Sequence, residues 1–418
     1  MKHLLLLVHR MPYPPNKGDK IRSYHLLAHL AARFKVHLAT FIDDPDDWQY
    51  VEAVKRLCIN THFARLHPGM AKLRSLGALA SDRPMSLDYY RDAGMHAWVK
   101  KTTSAYPIAR VVVFSSSMAQ YATGLEHATR IIDFVDVDSD KWSQYADKKA
   151  WPLSWLYRRE ARQLLRYERQ VAREFDASLF VSQPEAELFR RRAPESAARI
   201  GFFSNGVDTE FFSPEREYDN PYSPDEAPIV FTGAMDYWPN VDAVQWYADK
   251  IFPTVRSRNP NAVFYIVGSR PADAVKALAR QPGVKVTGTV PDVRPYIAHA
   301  RVSVAPLRIA RGIQNKVLEA MAMAKPVIVS SAALEGINAE PGLEALLAGN
   351  EQQFIDATSA LLSTSLEAIG RAARKKVLSH YGWAGNLARI DALLEGQRDV
   401  APIAAQPRAP RIPQEMRT

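Results

Sequence analysis

The sequence has almost no cysteine. Cys58 is the only one among 418 residues, so an internal disulfide is impossible and a metal site built from several thiolates is excluded. A chain of this size with a single thiol fits a reducing compartment. We therefore expect a cytoplasmic protein, acting either free in the cytoplasm or at the inner face of the cytoplasmic membrane.

Long apolar runs are also missing. The N-terminal MKHLLLLVHR has an apolar stretch of about five residues, whereas a signal peptide needs roughly seven or more. No segment approaches the roughly 20 apolar residues of a membrane span. We therefore interpret residues 4–8 as a first buried strand rather than as a targeting segment.

Disordered and fibrous classes are excluded by composition, because 47% of the residues are hydrophobic and 24% are charged. A chain of 418 residues is too long for one ordinary core. Two domains of roughly 200 residues each are therefore expected.

The positive charge is concentrated in one half of the chain. Residues 1–200 hold 31 Lys and Arg against 22 Asp and Glu, whereas residues 201–418 hold 23 of each. A basic N-terminal half suggests an anionic partner, such as nucleic acid, a phosphorylated substrate or an anionic membrane surface. General basic drift of the protein surface explains the charge equally well.

Short apolar runs alternate with helical patterns along the chain, which predicts parallel βαβ units and an α/β fold of two Rossmann-like doubly wound domains. The predicted strands are 4–8, 36–41, 110–115, 129–135, 177–182, 228–233, 262–268, 284–290, 301–307 and 325–331. The predicted divisions are an N-terminal domain (1–207), a linker (208–228), a C-terminal domain (229–382), a helix packing back toward the N-terminal domain (383–397) and a disordered tail (398–418).

A basic amphipathic helix is predicted over 153–175. Its apolar residues form one stripe, and most of its six arginines lie elsewhere. Such a helix can lie on a membrane surface. A helix that packs on the core and exposes a solvated basic face is the favoured alternative.

The loop from the first strand into the first helix, HRMPYPPNKGDKIRS, is a candidate ligand loop. Gly18 permits close backbone approach, and Lys17 and Arg22 lie beside it. Ligands of open α/β sheets bind at such turns. The loop lacks the second glycine of a dinucleotide fingerprint, so that interpretation is weak.

A second candidate anion site is GIQNKVLEAMA, which follows the predicted strand 301–307. Gly312 would clear the approach to a helix start, and Lys316 would add positive charge to the helix dipole there. Glu319 could then accept hydrogen bonds from the hydroxyls of a ribose beside a diphosphate. On spacing alone, an ordinary surface pair of Lys316 with Glu319 is slightly favoured.

The segment RIIDFVDVDSDKW leaves a strand into a loop carrying Asp136, Asp138 and Asp140. These carboxylates could bind sugar hydroxyls, act as a base or hold a metal, and metal is the minor interpretation. The segment FFSNGVDTEFFSP contains Asn205 and Gly206, a strong turn signal at the expected domain edge.

These motifs together resemble the retaining nucleotide-sugar glycosyltransferases of family 4, which have the two-domain GT-B fold with an interdomain cleft. The resemblance covers about residues 1–397 and is carried by KGDKIRSYHLLAHLA, SNGVDTEFF and KVLEAMAMAKPVIVS. More narrowly, DFVDVDSDKW, DYWPNVDAV and PLRIARGIQNKVLEAMAM are similar to sugar transferases of exosortase-linked exopolysaccharide systems.

The resemblance implies transfer of a sugar from a nucleotide-diphosphate donor to a lipid-linked or polysaccharide acceptor, with no metal and no further cofactor. Candidates for catalysis are Asp136, Arg311 and Lys316. Expected donor-binding residues are Gly233, Arg308, Gly312, Ile313, Gln314, Asn315, Lys316 and Glu319. Expected acceptor or cleft-loop residues are His9, Lys17, Gly18, Asp19, Arg22, Asp138 and Asn205.

Two departures from the family pattern matter. Glu319 matches the second glutamate of the donor motif, but Arg311 occupies the position of the first. The basic pair expected near the start of the second domain is absent from TGAMDYWPNVDA. Lys316, with Arg308 or Arg311, would have to neutralise the diphosphate instead.

Three rival functions remain at this stage. A nucleotide-sugar epimerase can use the same fold, although the SNGVD segment argues against it. Arg311 in place of a glutamate suggests a non-catalytic nucleotide-binding scaffold. Nucleic-acid binding is not expected, because the basic excess is modest and no recognition motif accompanies it.

Overall fold

A computed structural model describes residues 1–15, 17–310, 312–364 and 367–397. By their own contacts these residues form two compact units. The first unit contains Met1–Ser204 together with the described chain from Leu387 onward, and the second contains Asn205–Asn386. The tail predicted to be disordered, 398–418, lies outside the described residues.

The first unit is built on a seven-stranded parallel sheet of order β3-β2-β1-β4-β5-β6-β7. Its strands are β1 (His3–Val8), β2 (Lys35–Ile42), β3 (Asn60–Arg65), β4 (Ile108–Phe114), β5 (Thr129–Val135), β6 (Ala177–Phe180) and β7 (Ile200–Phe202). Its helices are α1 (Gly18–Ala31), α2 (Val51–Lys55), α3 (Pro68–Leu76), α4 (Met85–Tyr89), α5 (Ala93–Ala105), α6 (Asp138–Asp147), α7 (Leu153–Glu174) and α8 (Gln183–Arg192).

The second unit has a six-stranded parallel sheet of order β10-β9-β8-β11-β12-β13. Its strands are β8 (Ala227–Thr232), β9 (Ala262–Val267), β10 (Val284–Gly288), β11 (Val302–Ala305), β12 (Val327–Val329) and β13 (Leu346–Leu347). Its helices are α9 (Trp238–Trp246), α10 (Phe252–Arg258), α11 (Asp273–Leu278), α12 (Arg294–His299), α13 (Asn315–Ala322), α14 (Ser331–Leu334), α15 (Glu351–Ser363) and α16 (Glu367–His380), and α17 (Trp383–Leu394) follows them.

Each sheet is buried on both faces, as the continuous apolar strands require. Residues 4–8 of β1 are fully buried, as are Ile229, Val230 and Phe231 of β8. The fold class predicted from the sequence is confirmed: the chain forms two Rossmann-like doubly wound α/β domains. All ten predicted strands are present, and β3, β7 and β13 are additional.

The helix predicted over 153–175 is α7, and its burial follows the favoured alternative for most of its length. Leu164 and Val171 are buried in the first unit, whereas the arginines at 158, 162, 166 and 173 are exposed. The predicted apolar stripe does not extend to the first turn, because Leu153 is exposed there.

The segment 205–226 contains no helix or strand and belongs to the second unit. Proline and acidic residues in this segment explain why it forms no regular element. The second unit therefore begins with about twenty irregular residues that precede β8.

Candidate functional site

The strand order of the second sheet has its topological switch point between β8 and β11. Doubly wound sheets bind ligands at such a switch point. Both β8 and its neighbour β9 end at a glycine with positive φ, Gly233 and Gly268, each at +156°. A Cβ on Gly268 would lie 1.7 Å from the carbonyl oxygen of Gly233. These two glycines therefore allow backbone to meet backbone at this edge, where side chains could not fit.

Lys316 lies in the first turn of α13 and reaches the end of β8. Its Nζ donates a hydrogen bond of 2.5 Å to Oδ1 of Asn240 and lies 4.4 Å from the centroid of the Phe231 ring. It would be 3.3 Å from a Cβ on Gly233. The ammonium is thus held over the open backbone of the β8 loop.

The pKa values of Lys316 and Glu319 both lie close to neutral pH. Burial lowers the pKa of the Lys316 ammonium to about 7, although the nearby Glu319 carboxylate opposes the shift. Burial likewise raises the pKa of Glu319 to about 7, with Lys316 opposing. Because both groups are charged at a cost in this environment, an incoming charged or hydrogen-bonding ligand would change their protonation.

The residues before α13 form a tight approach to the helix. Gly312 has a φ of +63°, and Ile313 is buried in the second core. Gln314 is the N-cap residue, but its side chain makes no capping hydrogen bond to the helix. Arg311, predicted as a catalytic and donor-binding residue, lies outside the described residues.

Asn205 and Asn315 meet at the start of α13. Nδ2 of Asn205 lies 3.3 Å from Oδ1 of Asn315, and Asn205 is buried. The sequence predicted Asn205 to lie in an acceptor or cleft loop at the domain edge. The structure places it at the first residue of the second unit, in contact with the first residue of the predicted donor helix.

Arg308 is paired with a carboxylate on the neighbouring helix. Its guanidinium donates two hydrogen bonds to the Asp242 carboxylate of α9. These bonds raise the pKa of Arg308 above the ordinary arginine value. Its side chain is 51% exposed. A role for Arg308 in neutralising a diphosphate would therefore require it to share or exchange this partner.

In the first unit, the loop after β1 contains a charged cluster around Asp19. Nη1 of Arg10 lies 2.6 Å from Asp19, and its Nε lies 3.0 Å from Asp43. Nε2 of His9 is 3.7 Å from Asp19, and burial lowers the pKa of His9 although Asp19 opposes this. Nδ1 of His9 is buried and has no hydrogen-bond partner among the described residues.

Two further residues of this loop are exposed or half-exposed at the start of α1. Lys17 occupies the N-cap position without a side-chain capping bond, and Gly18 is the first helical residue. A Cβ on Gly18 would meet no atom within 4 Å. Gly18 thus leaves open space beside Asp19.

Arg22, predicted as an acceptor or cleft-loop residue, lies inside the first unit. Its guanidinium is fully buried and binds both carboxylate oxygens of Asp133 at 2.7 and 3.1 Å. It also donates to the carbonyl oxygen of Phe203 at 3.0 Å. Arg22 therefore links α1 to β5 inside the core and offers no surface cation to a ligand.

The three aspartates after β5 are paired with basic side chains. Lys141 donates to Asp136 at 2.6 Å and to Asp138 at 3.1 Å, whereas Asp140 is in contact with Arg192 at 3.3 Å. Burial alone would lower the pKa of Lys141, but Asp136 and Asp138 raise it well above its ordinary value. Lysine thus occupies the position between two carboxylates where a cation would bind.

The backbone of this loop is held by two glutamates. Glu185 accepts from the N–H of Val137 at 2.8 Å, and Glu168 accepts from the N–H of Ser139 at 3.2 Å and from its hydroxyl at 2.5 Å. Burial raises the pKa of Glu168 to about 8, and the nearby Asp138 adds to the shift. Val135 has a φ of +70°, which is rare for a β-branched residue and marks a constrained turn into the loop.

Within the described part of the chain, no group of three or more His, Cys, Asp or Glu could hold a metal ion. The same residues include no helix with the length and apolar character needed to cross a bilayer. A cavity of about 780 Å³ in the second unit is lined by Tyr218, His299 and Lys325 among others. None of the predicted donor residues lines it.

Asn240 and Gly268 are not among the site residues predicted from the sequence. Nδ2 of Asn240 donates to the carbonyl of Ala234 at 2.8 Å while its Oδ1 accepts from Lys316, so this side chain joins the β8 loop to α13. Nothing in WPNVDA distinguishes that asparagine from an ordinary helix residue. The two strand ends FTG and IVG, however, share a terminal glycine, and that repetition was a usable signal.

Comparison with solved structures assigns the fold. Sucrose-phosphate synthase from Thermosynechococcus elongatus matches with a TM-score of 0.67 and 18% identity, over 95% of this chain and 99% of that one. Anabaena Alr3699/HepE in complex with UDP-glucose matches with a TM-score of 0.63 and 14% identity, over 95% and 100%. WaaG, a glycosyltransferase involved in lipopolysaccharide biosynthesis, matches with a TM-score of 0.62 and 16% identity, over 95% and 98%. The chain therefore has the GT-B fold.

Residues 226–364 match the model of the family described as glycosyl transferases group 1. This range contains β8, Asn240 and the first turns of α13. The matched region therefore includes Gly233, Asn240, Lys316 and Glu319. The match supports a glycosyltransferase. A comparison with curated protein sequences finds no match.

Proposed function

We propose that this protein transfers a sugar from a nucleotide-diphosphate donor to a hydroxyl group of a lipid-linked or growing polysaccharide acceptor, with retention of anomeric configuration. The observation that carries the proposal is the group 1 glycosyltransferase match over the range that contains Gly233, Asn240, Lys316 and Glu319. The proposal includes a role in exopolysaccharide or other cell-surface glycan synthesis, without a metal.

The donor diphosphate would bind between the β8 loop and the start of α13. Gly233 leaves the backbone open there, and the Lys316 ammonium lies directly over it. The positive end of the α13 dipole adds to the same potential. Glu319 would accept hydrogen bonds from the ribose, as the family resemblance implies.

In the proposed reaction the bond between the anomeric carbon and the β-phosphate oxygen breaks, and negative charge develops on that phosphate. Lys316 and the helix start would stabilise this charge, which is the largest catalytic contribution expected in such sites. The acceptor oxygen then bonds to the anomeric carbon from the same face. Its proton passes to the leaving phosphate or to a nearby base of the protein.

Asp136 and His9 are the candidate bases. Asp136 already accepts a hydrogen bond from Lys141, whereas buried His9 has a lowered pKa and an Nδ1 without a described partner. A neutral imidazole with an unused nitrogen can accept a proton near neutral pH. Separate Asp136→Asn and His9→Gln variants assayed for turnover would identify the base by the larger loss of kcat.

The nucleotide base is proposed to be uracil, because Alr3699/HepE was solved with UDP and with UDP-glucose. The test is thermal stabilisation of the full chain by UDP, GDP and ADP. At a hundred times Kd the true ligand should stabilise the protein by about 2.7 kcal/mol. We expect UDP to give the largest shift and Glu319→Ala to reduce it strongly.

A matched control is Glu340→Ala, which removes an exposed glutamate of the same unit. It should leave the UDP shift unchanged. If Glu340→Ala and Glu319→Ala lose the shift equally, Glu319 is not a ligand residue. If none of the three nucleotides stabilises the wild type, the donor site itself is wrongly assigned.

A non-catalytic nucleotide-binding scaffold is the second candidate, motivated by Arg311 at the position where the family pattern has a glutamate. Binding cannot separate the two functions, whereas turnover can. Transfer of labelled sugar from UDP-sugars to a lipid extract would support the enzyme. UDP binding without transfer or donor hydrolysis would support the scaffold.

A further inference from the structure

Two neighbouring segments of the first unit expose an unusual number of large apolar side chains. On α3 and the turn after it, Met70 is 71% exposed and Leu73 is 72% exposed, and Leu76 and Leu79 are exposed as well. Between α6 and α7, Trp151 is 80% exposed, with Leu153 and Trp155 also exposed. We call these two segments, residues 65–79 and 148–158, the tip surface.

The tip surface is mainly basic, although Asp147, which directly precedes its second segment, lies 3.8 Å from the Arg158 guanidinium. Residues 65–79 include Arg65, Lys72 and Arg74, residues 148–158 include Lys148, Lys149 and Arg158, and neither segment contains an Asp or a Glu. All six of these side chains belong to exposed residues. Apolar side chains surrounded by cations match the interface of an anionic bilayer, where tryptophan is also favoured.

Hydrogen bonds join the two segments into one surface. Arg159, in the second turn of α7, donates to the carbonyl of Ala78 at 2.6 Å and also to the carbonyl of Ser81. Glu160 accepts from the N–H groups of Met85 and Ser86 at 2.7 and 2.9 Å. The start of α7 therefore packs on the chain that follows α3, so the two segments of the tip surface are neighbours.

The tip surface stands beyond the carboxyl edge of the first sheet. Ser139, just after β5, contacts Glu168 of α7, and α7 continues from Glu168 to the start of β6 at the opposite edge. Residues 153–168 of α7, about 22 Å of helix, therefore extend away from the sheet past β5. The same edge carries His9 and Asp136.

We propose that the tip surface binds a bilayer containing anionic phospholipid, with Trp151 and Trp155 at the lipid–water interface. Leu73 and Met70 enter the acyl boundary, and the surrounding lysines and arginines contact headgroup phosphates. If the proposed function holds, this attachment presents a lipid-linked acceptor to the carboxyl edge of the first sheet, where His9 and Asp136 lie.

A second copy of the chain is a poorer occupant. A twofold interface would place the same surface against itself. The six cations of one copy would then face the six cations of the other, and like charges brought together oppose association. An anionic bilayer has the complementary charge.

The test is flotation of the full-length protein with vesicles of phosphatidylcholine containing phosphatidylglycerol, beside vesicles of phosphatidylcholine alone. We expect flotation with the anionic vesicles at low salt and less at high salt, because screening weakens the headgroup contacts. The double variant Trp151→Ser/Trp155→Ser should lower the bound fraction by about tenfold. A Lys148→Gln/Lys149→Gln variant should have a smaller bound fraction than the wild type at low salt. Its bound fraction there should match that of the wild type at higher salt.

The matched control is Leu378→Ser, which removes an exposed apolar residue of the second unit. It should float as the wild type does. Equal flotation of the tryptophan variant and the wild type would overturn the proposal, as would the absence of flotation of the wild type at low salt. So would a wild-type dimer, detected by sedimentation, that the tryptophan variant converts to monomer without any lipid binding.

The UDP thermal shift is measured on the same samples. It reports whether each variant is folded, and it separates the two proposals. Flotation without a UDP shift would support the membrane surface and contradict the donor site. A UDP shift without flotation would do the reverse.

Discussion

The carboxyl edges of the two sheets use charge in different ways. In the first unit several charged groups at this edge are paired, as in Arg22–Asp133, Arg10–Asp19 and Lys141–Asp136. In the second unit the central pair, Lys316 and Glu319, is instead shifted by burial toward neutrality. Ion pairs join the charged groups named at the first edge, whereas at the second edge Arg308 is paired with Asp242 and burial opposes the charges of Lys316 and Glu319.

This difference follows from what each edge has to hold. In the first unit the buried Arg22–Asp133 pair joins α1 to β5, and the half-buried Arg10–Asp19 and Lys141–Asp136 pairs link residues within the segments that follow β1 and β5. For the second edge we propose a different role, in which the glycines leave the backbone open and a bound diphosphate would stabilise the charged form of Lys316. The comparison predicts that charge removal costs stability in the first unit and ligand binding in the second.

The largest effect is expected for Arg22→Met. The substitution leaves the Asp133 carboxylate buried and unpaired, and the carbonyl of Phe203 loses its donor. Breaking a buried pair in this way costs about 3–5 kcal/mol. Urea unfolding of the full chain measures the loss, as a shift in the transition that corresponds to unfolding of the first unit.

An exposed pair provides the control. Arg371→Met removes a surface ion pair with Glu367, in which both side chains are more than two-thirds exposed, at 69% and 76%. Such pairs contribute about 0–1 kcal/mol. A double variant, Arg22→Met/Asp133→Leu, should recover much of the stability. If Arg22→Met unfolds at the same urea concentration as Arg371→Met, the Arg22–Asp133 pair does not fix the first edge.

The second prediction concerns the open backbone of the second edge. Gly268→Ala would place a Cβ 1.7 Å from the carbonyl of Gly233, at a φ of +156° that alanine rarely adopts. We expect a loss of about 1–3 kcal/mol from overpacking, together with a weaker UDP shift because the β8 loop is displaced. Denaturant unfolding and the thermal shift measure the two effects.

Gly385→Ala is the matched glycine substitution, because a Cβ there would meet no atom within 4 Å. In a helix it should be neutral or slightly stabilising. A Gly268→Ala protein as stable as Gly385→Ala would mean that the two strand ends can separate without cost, contrary to the close packing of Gly233 and Gly268.

How far the sequence predicts this architecture depends on the range of the interactions. Apolar runs of four to six residues predict strands, so the two sheets can be predicted from local sequence. The GIQNKVLE segment likewise predicts that Lys316 and Glu319 lie at one helix start. The partner of Arg22 is 111 residues away, and Asn240 is 76 residues from Lys316. No local pattern encodes such pairs, so the burial of Arg22 and the role of Asn240 emerge only from the folded chain.

A smaller effect is expected from pH. An anionic diphosphate favours the protonated form of Lys316, whose pKa is lowered to about 7. Above pH 7, where Glu319 is already mostly ionised, UDP binding should therefore take up a proton at Lys316, and its affinity should fall as pH rises, by up to about tenfold per unit. Calorimetry in two buffers of different ionisation enthalpy measures the proton uptake directly.

The acid side of the profile reports on Glu319. Its ionised form accepts from the ribose, and its pKa is raised to about 7, so affinity should also decline as pH falls below that value. Lys316→Arg separates the two limbs, because arginine stays charged. In that variant the alkaline decline should disappear and the acid decline should remain. A flat profile in the wild type would show that neither group titrates with binding.

The smallest stability change, and the sharpest contrast with Arg22, is expected for Lys316→Met. The substitution removes an ammonium that burial disfavours, which stabilises the folded state, and it also removes the hydrogen bond to Asn240, which costs about 1 kcal/mol. These effects oppose each other, so unfolding should stay within about 1 kcal/mol of the wild type while the UDP shift is lost. A residue kept for binding rather than for folding shows this pattern. If Lys316→Met instead destabilises the chain as strongly as Arg22→Met, Lys316 is a structural residue like those of the first edge, and the proposed donor site loses its principal cation.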